Sequence, residues 1–136
     1  MDDETPDERL DEKKLLALLA LGSRRRYGHF VRKVTQEGKV WGLFDEGWAV
    51  AADDDGKKVI PVWADAQTAQ VSALGAWETY EPRSITLASF LDRWIAGMTT
   101  DGVRVAVFPT PMDRGEFVVP AELASDLREE LKQPGK

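Results

Sequence analysis

Two short acidic turns, each closed by glycine, constrain this chain more than any other feature. Asp45-Glu46-Gly47 and Asp53-Asp54-Asp55-Gly56 divide residues 40–63 into three apolar segments, Val40–Phe44, Trp48–Ala52 and Lys58–Trp63. A short loop with glycine where positive φ is needed is a hairpin signal, and brief apolar runs between such loops read as strands. Pro61 cannot donate a ladder hydrogen bond, so it belongs at a sheet edge or a strand end. The simplest arrangement is a three-stranded antiparallel meander.

Helical spacing flanks that region. Thr5-Pro6-Asp7-Glu8 supplies an N-cap, a proline at the first helical position and a glutamate in the first turn, which predicts a helix to about Leu21. Leu15–Leu21 is apolar nearly all round, so it is expected to be buried in the body or against another subunit. Gly22 ends that helix and Ser23 caps a second, over about 23–36, with Tyr27, Phe30, Val31 and Val34 on one face and Arg25, His29 and Arg32 opposite. A short helix follows over 65–74, and Gly75 closes it. Leu87, Phe90, Leu91, Trp94, Ile95 and Met98 mark a helix over 86–97 by their spacing. Asp101-Gly102 turns the chain into a strand over 103–108 with alternating valines, residues 116–119 form a last strand, and Pro120 opens a helix with Leu123, Leu127 and Leu131 on one stripe. Trp77 and Tyr80, between the short helix over 65–74 and the helix over 86–97, fall in an apparent loop. Strands and helices do not alternate regularly. That predicts an α+β fold: one domain over 13–132 with a mainly antiparallel sheet of about five strands and helices on one face. An acidic flexible tail over 1–12 and a frayed end over 133–136 flank it.

Charge is distributed unevenly. The net charge is −6, and residues 1–12 hold seven carboxylates against one arginine, so 17 acidic and 17 basic residues remain elsewhere. The body is neutral, which argues against a nucleic-acid partner, because such domains carry a basic excess. Arg24, Arg25, Arg26, Arg32 and Lys33 form one basic run with His29 among them. It reads chiefly as a solvated face or the partner of the acidic tail, and only weakly as a site for binding an anion. The longest apolar run, Leu15–Leu21, is far short of the ~20 residues of a membrane span. An acidic leader and three following arginines argue against a secretory signal, so a cytoplasmic location is expected.

A set of short motifs then lines up in order: Tyr27-Gly28-His29-Phe30, Val40-Trp41-Gly42-Leu43, Gly47-Trp48-Ala49, Ile60-Pro61-Val62-Trp63, Gly75-Ala76-Trp77-Glu78, Tyr80-Glu81-Pro82, Phe90-Leu91-Asp92-Arg93-Trp94 and Val107-Phe108-Pro109-Thr110-Pro111. Over about Arg26–Leu131 the chain resembles a bacterial family, domain of unknown function 2750. The resemblance implies a small cytoplasmic bacterial protein and brings no active site to transfer. Met1–Leu21 looks like an addition to the family pattern. The strand–Pro–x–Trp–helix unit is more faintly similar to secretion-regulator domains, a likeness too short to carry a function.

The candidate sites therefore rest on residue chemistry. With no cysteine and one histidine, thiolate, disulfide and Cys-ligated metal chemistry are excluded, and no metal site or cofactor is expected. Asp53-Asp54-Asp55-Gly56 lacks the ligand spacing of a calcium loop and reads as a solvated turn. Trp77, Glu78, Tyr80, Glu81 and Arg83 bring an aromatic wall and charged rim groups together in one stretch. They read either as a recognition pocket for a small ligand, with hydrolytic chemistry by the two glutamates, or as a lid over the core. Phe108 and Pro109 begin a stiff turn that would suit presenting a surface to a partner or would only redirect the chain. The expectation from these features is a non-enzymatic protein-interaction module of adaptor, inhibitor or immunity type. Its partner would be a protein, or a second copy meeting it through Leu15–Leu21.

Overall fold

A computed structural model of the protein describes residues 11–133. The proposed helix start at Thr5-Pro6, most of the acidic tail and residues 134–136 lie outside the described residues. Helix α1, Glu12–Ala20, begins where Asp11 caps it, its carboxylate accepting from the Lys14 N–H at 2.8 Å. Residues 11 and 12 thus belong to the helix start rather than to a tail. The expectation that α1 is buried in the body is met only in part: Leu18 and Leu19 pack partly against the core, but none of its residues is fully buried and Leu16 is 59% exposed.

Helix α2, Ser23–Glu37, ends at Gly38 in the left-handed conformation and leads directly into β1, Lys39–Phe44. The predicted meander is only partly formed. Beyond the 45–47 turn the chain makes one bridge, Phe44 to Trp48, before the short strand β2, Ala51–Ala52. The Asp53–Gly56 turn does close a hairpin to β3, Lys58–Val62: Gly56 has φ 78°, and Asp53 accepts from the N–H groups of Asp55 and Lys57, both at 2.9 Å. Asp65 caps α3, Ala66–Val71, and a single tight turn, Gly75–Trp77, follows.

The stretch read as a loop contains β4, Glu81–Thr86, paired antiparallel along all of β1 from Phe44↔Glu81 to Lys39↔Thr86. Helix α4, Leu87–Ser89, runs through a π-helical turn, Phe90–Trp94, into α5, Ile95–Asp101. That helix is longer than expected and stops at Gly102, which has φ 68°. Strand β5, Arg104–Val107, lies parallel to β3, and β6, Glu116–Val118, lies antiparallel to β5. Helix α6, Pro120–Leu131, closes the chain. The parallel pair departs from the meander picture for a simple reason: the long connection from β3 to β5 gives room for a crossover, which two parallel strands require. Reciprocal N–H to O bonds between Trp41 and Trp63, at 2.9 and 2.8 Å, join the β1–β4 ladder to the order β2-β3-β5-β6.

Strand alternation divides the larger ladder into two faces. Val62, Val105 and Val107 enter the main core with Phe30 and Val34 of α2, Met98 of α5, and Leu123 and Leu127 of α6. The opposite face follows from the register: Ala51 beside Val59, Pro61 beside Ala106, and Ala106 beside Phe117. Val59 and Ala106 are buried although they lie outside the main core cluster. Among the described residues, no helix is long and apolar enough to cross a membrane.

Candidate functional site

That second face is the floor of a cleft of about 180 Å3. Val59, Pro61, Ala106 and Phe117 line it from the strands, with Ala51 and Ala52 at its edge. Trp77 reaches in from the tight turn after α3, and Pro109, Thr110, Asp113 and Arg114 come from the β5–β6 loop. The half-buried Trp77 ring meets the fully buried Trp63 edge to face, with centroids 6.4 Å apart, so one wall is anchored to the core.

A second wall, the β5–β6 loop, is held by a buried arginine. Arg26 Nε donates to the Phe108 carbonyl at 3.0 Å, Nη1 to the Leu21 carbonyl at 2.5 Å, and Nη2 to Asp113 Oδ2 at 2.8 Å. Its guanidinium also lies 5.6 Å from the centroid of the Phe108 ring. The neighbouring Pro109 carbonyl accepts from Trp63 Nε1 at 2.9 Å and from Ser72 Oγ at 3.2 Å. These bonds hold Phe108 at φ 56°, a conformation unfavourable for a non-glycine residue and more so before a proline. The loop is therefore fixed before any ligand arrives. Asp113 responds electrostatically: the hydrogen bond from Arg26 holds its carboxyl below the usual carboxylate range.

The sequence candidates separate in space. Trp77 and Pro109 share the cleft. Glu78 and Glu81 are exposed, Tyr80 is half-buried against the core, and Arg83 stacks on Phe44, 3.8 Å from the ring centroid. Phe108 is fully buried and supports the loop from below. The basic run is also divided. Arg24, Arg25 and Arg32 are exposed, Lys33 pairs with buried Asp65 at 3.2 Å, and Arg26 is the loop anchor just described. The picture of one solvated basic face is corrected on that account. His29 is likewise not a plain surface residue. It is half-buried near Phe108, burial lowers its pKa below the ordinary histidine value, and the charge of Lys33 adds to the effect.

Reading by sequence missed Pro61, Thr110, Arg114 and Phe117. Arg104 and Ala106 alternate with the core valines, which already placed them on the other face, but the register that brings Phe117 beside Ala106 is tertiary information. A larger open hollow of about 410 Å3 lies beside Trp41 and Pro82, yet Glu37, Lys39, Asp65, Gln67 and Gln70 line most of it. The smaller cleft is the more apolar of the two.

A 150 Å3 apolar cavity accommodates about one benzene ring, and drug-sized ligands need roughly 300 Å3 or more. The cleft of about 180 Å3 therefore fits one ring-sized or branched aliphatic group.

No curated protein and no solved structure matches the chain. The sequence profile of a family of proteins of unknown function, DUF2750, matches residues 27–127, which hold every strand of the fold and every lining residue of the cleft. The chain belongs to the DUF2750 family.

Proposed function

We propose that this protein is a protein-interaction module whose cleft takes up a single ring-sized apolar side chain from a partner protein. One observation carries the reading: an apolar pocket sized for one such group, with Trp77 and the β5–β6 loop fixed by buried hydrogen bonds and ring contacts. Preorganised walls lower the ordering cost of binding, and a side chain seated in a well-packed, desolvated pocket is the usual form of an interface hot spot.

The test is selection of displayed random peptides on the full-length protein. Affinities are then measured on Trp77→Ala and Phe117→Ala, with Met112→Ala, on a 93% exposed side chain of the same loop, as control. The selected peptides are expected to share one apolar residue and to lose about tenfold or more in affinity on both wall variants while the control binds normally. Peptides that bind all four proteins equally would overturn the reading, provided near-ultraviolet circular dichroism shows the variants folded.

Helix α1 supports a second contact, between copies of this chain, because Leu16 is 59% exposed while Leu18 and Leu19 of the same helix pack partly against the core. Sedimentation equilibrium should show a larger species that Leu16→Lys dissociates. A monomer at every concentration would remove this contact.

A further inference from the structure

Three acidic–basic pairs surround the cleft, and they are held very differently. Arg104 Nη2 lies 2.7 Å from Asp53 Oδ2, and that carboxylate, 5% exposed, is also tied to two backbone N–H groups. Arg26, 2% exposed, is enclosed by two carbonyls as well as Asp113 and does not open to the solvent. Arg114 is different. Its Nη1 lies 2.7 Å from Asp54 Oδ1, but the two side chains are 56% and 91% exposed. An ion pair so open to water contributes little and is screened by salt.

Arg114 has two contacts besides Asp54. Its Nη2 donates to the Ala52 carbonyl at 2.8 Å, and its guanidinium stands 5.2 Å from the centroid of the Phe117 ring. A guanidinium that is positioned by other contacts but only weakly paired is well suited to receive a carboxylate. Thr110 also lines the cleft, and its hydroxyl oxygen accepts from the Met112 N–H at 3.2 Å, an arrangement that leaves its own proton for an acceptor.

We infer that the cleft receives the C-terminal residue of a partner chain. The apolar side chain enters between Trp77 and Phe117, and the terminal carboxylate displaces Asp54 from Arg114. In an extended peptide successive side chains point to opposite faces, so an internal acidic residue beside the inserted one points away from Arg114. At a chain end the apolar side chain and the carboxylate share one Cα, which suits a pocket and a guanidinium that border each other. This inference rests on the proposed function and narrows it to one class of partner.

The experiment titrates four probes into the 15N-labelled full chain: the peptide Ser-Gly-Ser-Gly-Phe with a free terminal carboxylate, its C-terminal amide, the amidated peptide Ser-Gly-Phe-Asp-Gly, and 3-phenylpropionate. The free acid is expected to bind about tenfold tighter than its amide, with shifts at the Trp77 indole and the Phe117 amide. Arg114→Gln should abolish that difference between acid and amide. Asp54→Asn, which removes the competing carboxylate, should tighten the free acid and not the amide. Equal binding of acid and amide, or tightest binding by the internal aspartate peptide, overturns the C-terminal assignment and leaves the cleft reading standing. Phenylpropionate binding as tightly as the peptide would assign the site to a small acid and overturn the partner chain. Failure of every probe to bind at the cleft would overturn both.

Discussion

Arg26 shows how much one side chain decides. It stands in a run of three arginines, and composition alone makes it surface. Yet it lies four residues before Phe30 and eight before Val34, which places it on the apolar stripe of α2. The buried cation is stable there because two carbonyls and the Asp113 carboxylate satisfy it. Replacing it with methionine keeps the volume and orphans those acceptors. Arg26→Met is expected to lose about 3 kcal/mol in urea denaturation. A loss below about 1 kcal/mol would mean the loop keeps its shape without the arginine. The stripe spacing was the available signal for this residue, and the charge of its neighbours concealed it.

At the scale of elements, the turns and the amphipathic helices were legible and one strand was not. The Asp53–Gly56 hairpin, the capping of α3 by Asp65 and the Pro120 start of α6 all follow from local chemistry. Strand β4 has no apolar alternation, since Ile85 is its one buried side chain, and Pro82 weakens any strand signal. It forms because β1 offers it a complete antiparallel ladder. The β5–β6 loop depends in the same way on a contact distant in the chain. Gly115 has φ 87°, and a Cβ there would stand 2.6 Å from the Val107 carbonyl oxygen. Gly115→Ala is therefore expected to cost about 2–3 kcal/mol and to weaken cleft binding together with stability. Thermal unfolding read beside peptide affinity checks this, and an unchanged melting temperature would contradict it. Glycine at Gly42 answers a different need: a Cβ would come within 3.1 Å of the Trp48 ring, so the aromatic group of Phe44, Trp48 and Trp94 closes over a bare backbone.

For the whole molecule the perturbed groups act in one direction as pH falls. The pKa of His29 is lowered in the fold, first by burial and then by the charge of Lys33. The unfolded chain therefore takes a proton first, and stability declines below about pH 6.5. The Asp53 carboxyl is held low chiefly by its hydrogen bond to Arg104, and Asp113 by its bond to Arg26. Their stabilisation is present above about pH 4 and is lost as pH falls through their folded values. Denaturation midpoints measured from pH 7 to 3 should thus fall in two stages. His29→Gln should remove the upper stage, and Asp113→Asn should reduce the lower. A midpoint that stays level from pH 7 to 5 in the unaltered protein would contradict the assignment to His29. Taken alone, the sequence determined the fold class, most helices, the β2–β3 turn and the candidacy of Trp77 and Pro109, because these depend on neighbours within a few residues. Only the tertiary structure decided that Glu78, Glu81 and Arg83 lie outside the cleft, that Arg26 is an anchor, and that Phe117 and Arg114 complete the site. Strand register and the partners of a buried charge are set by residues far away in the chain, and no local pattern encodes them.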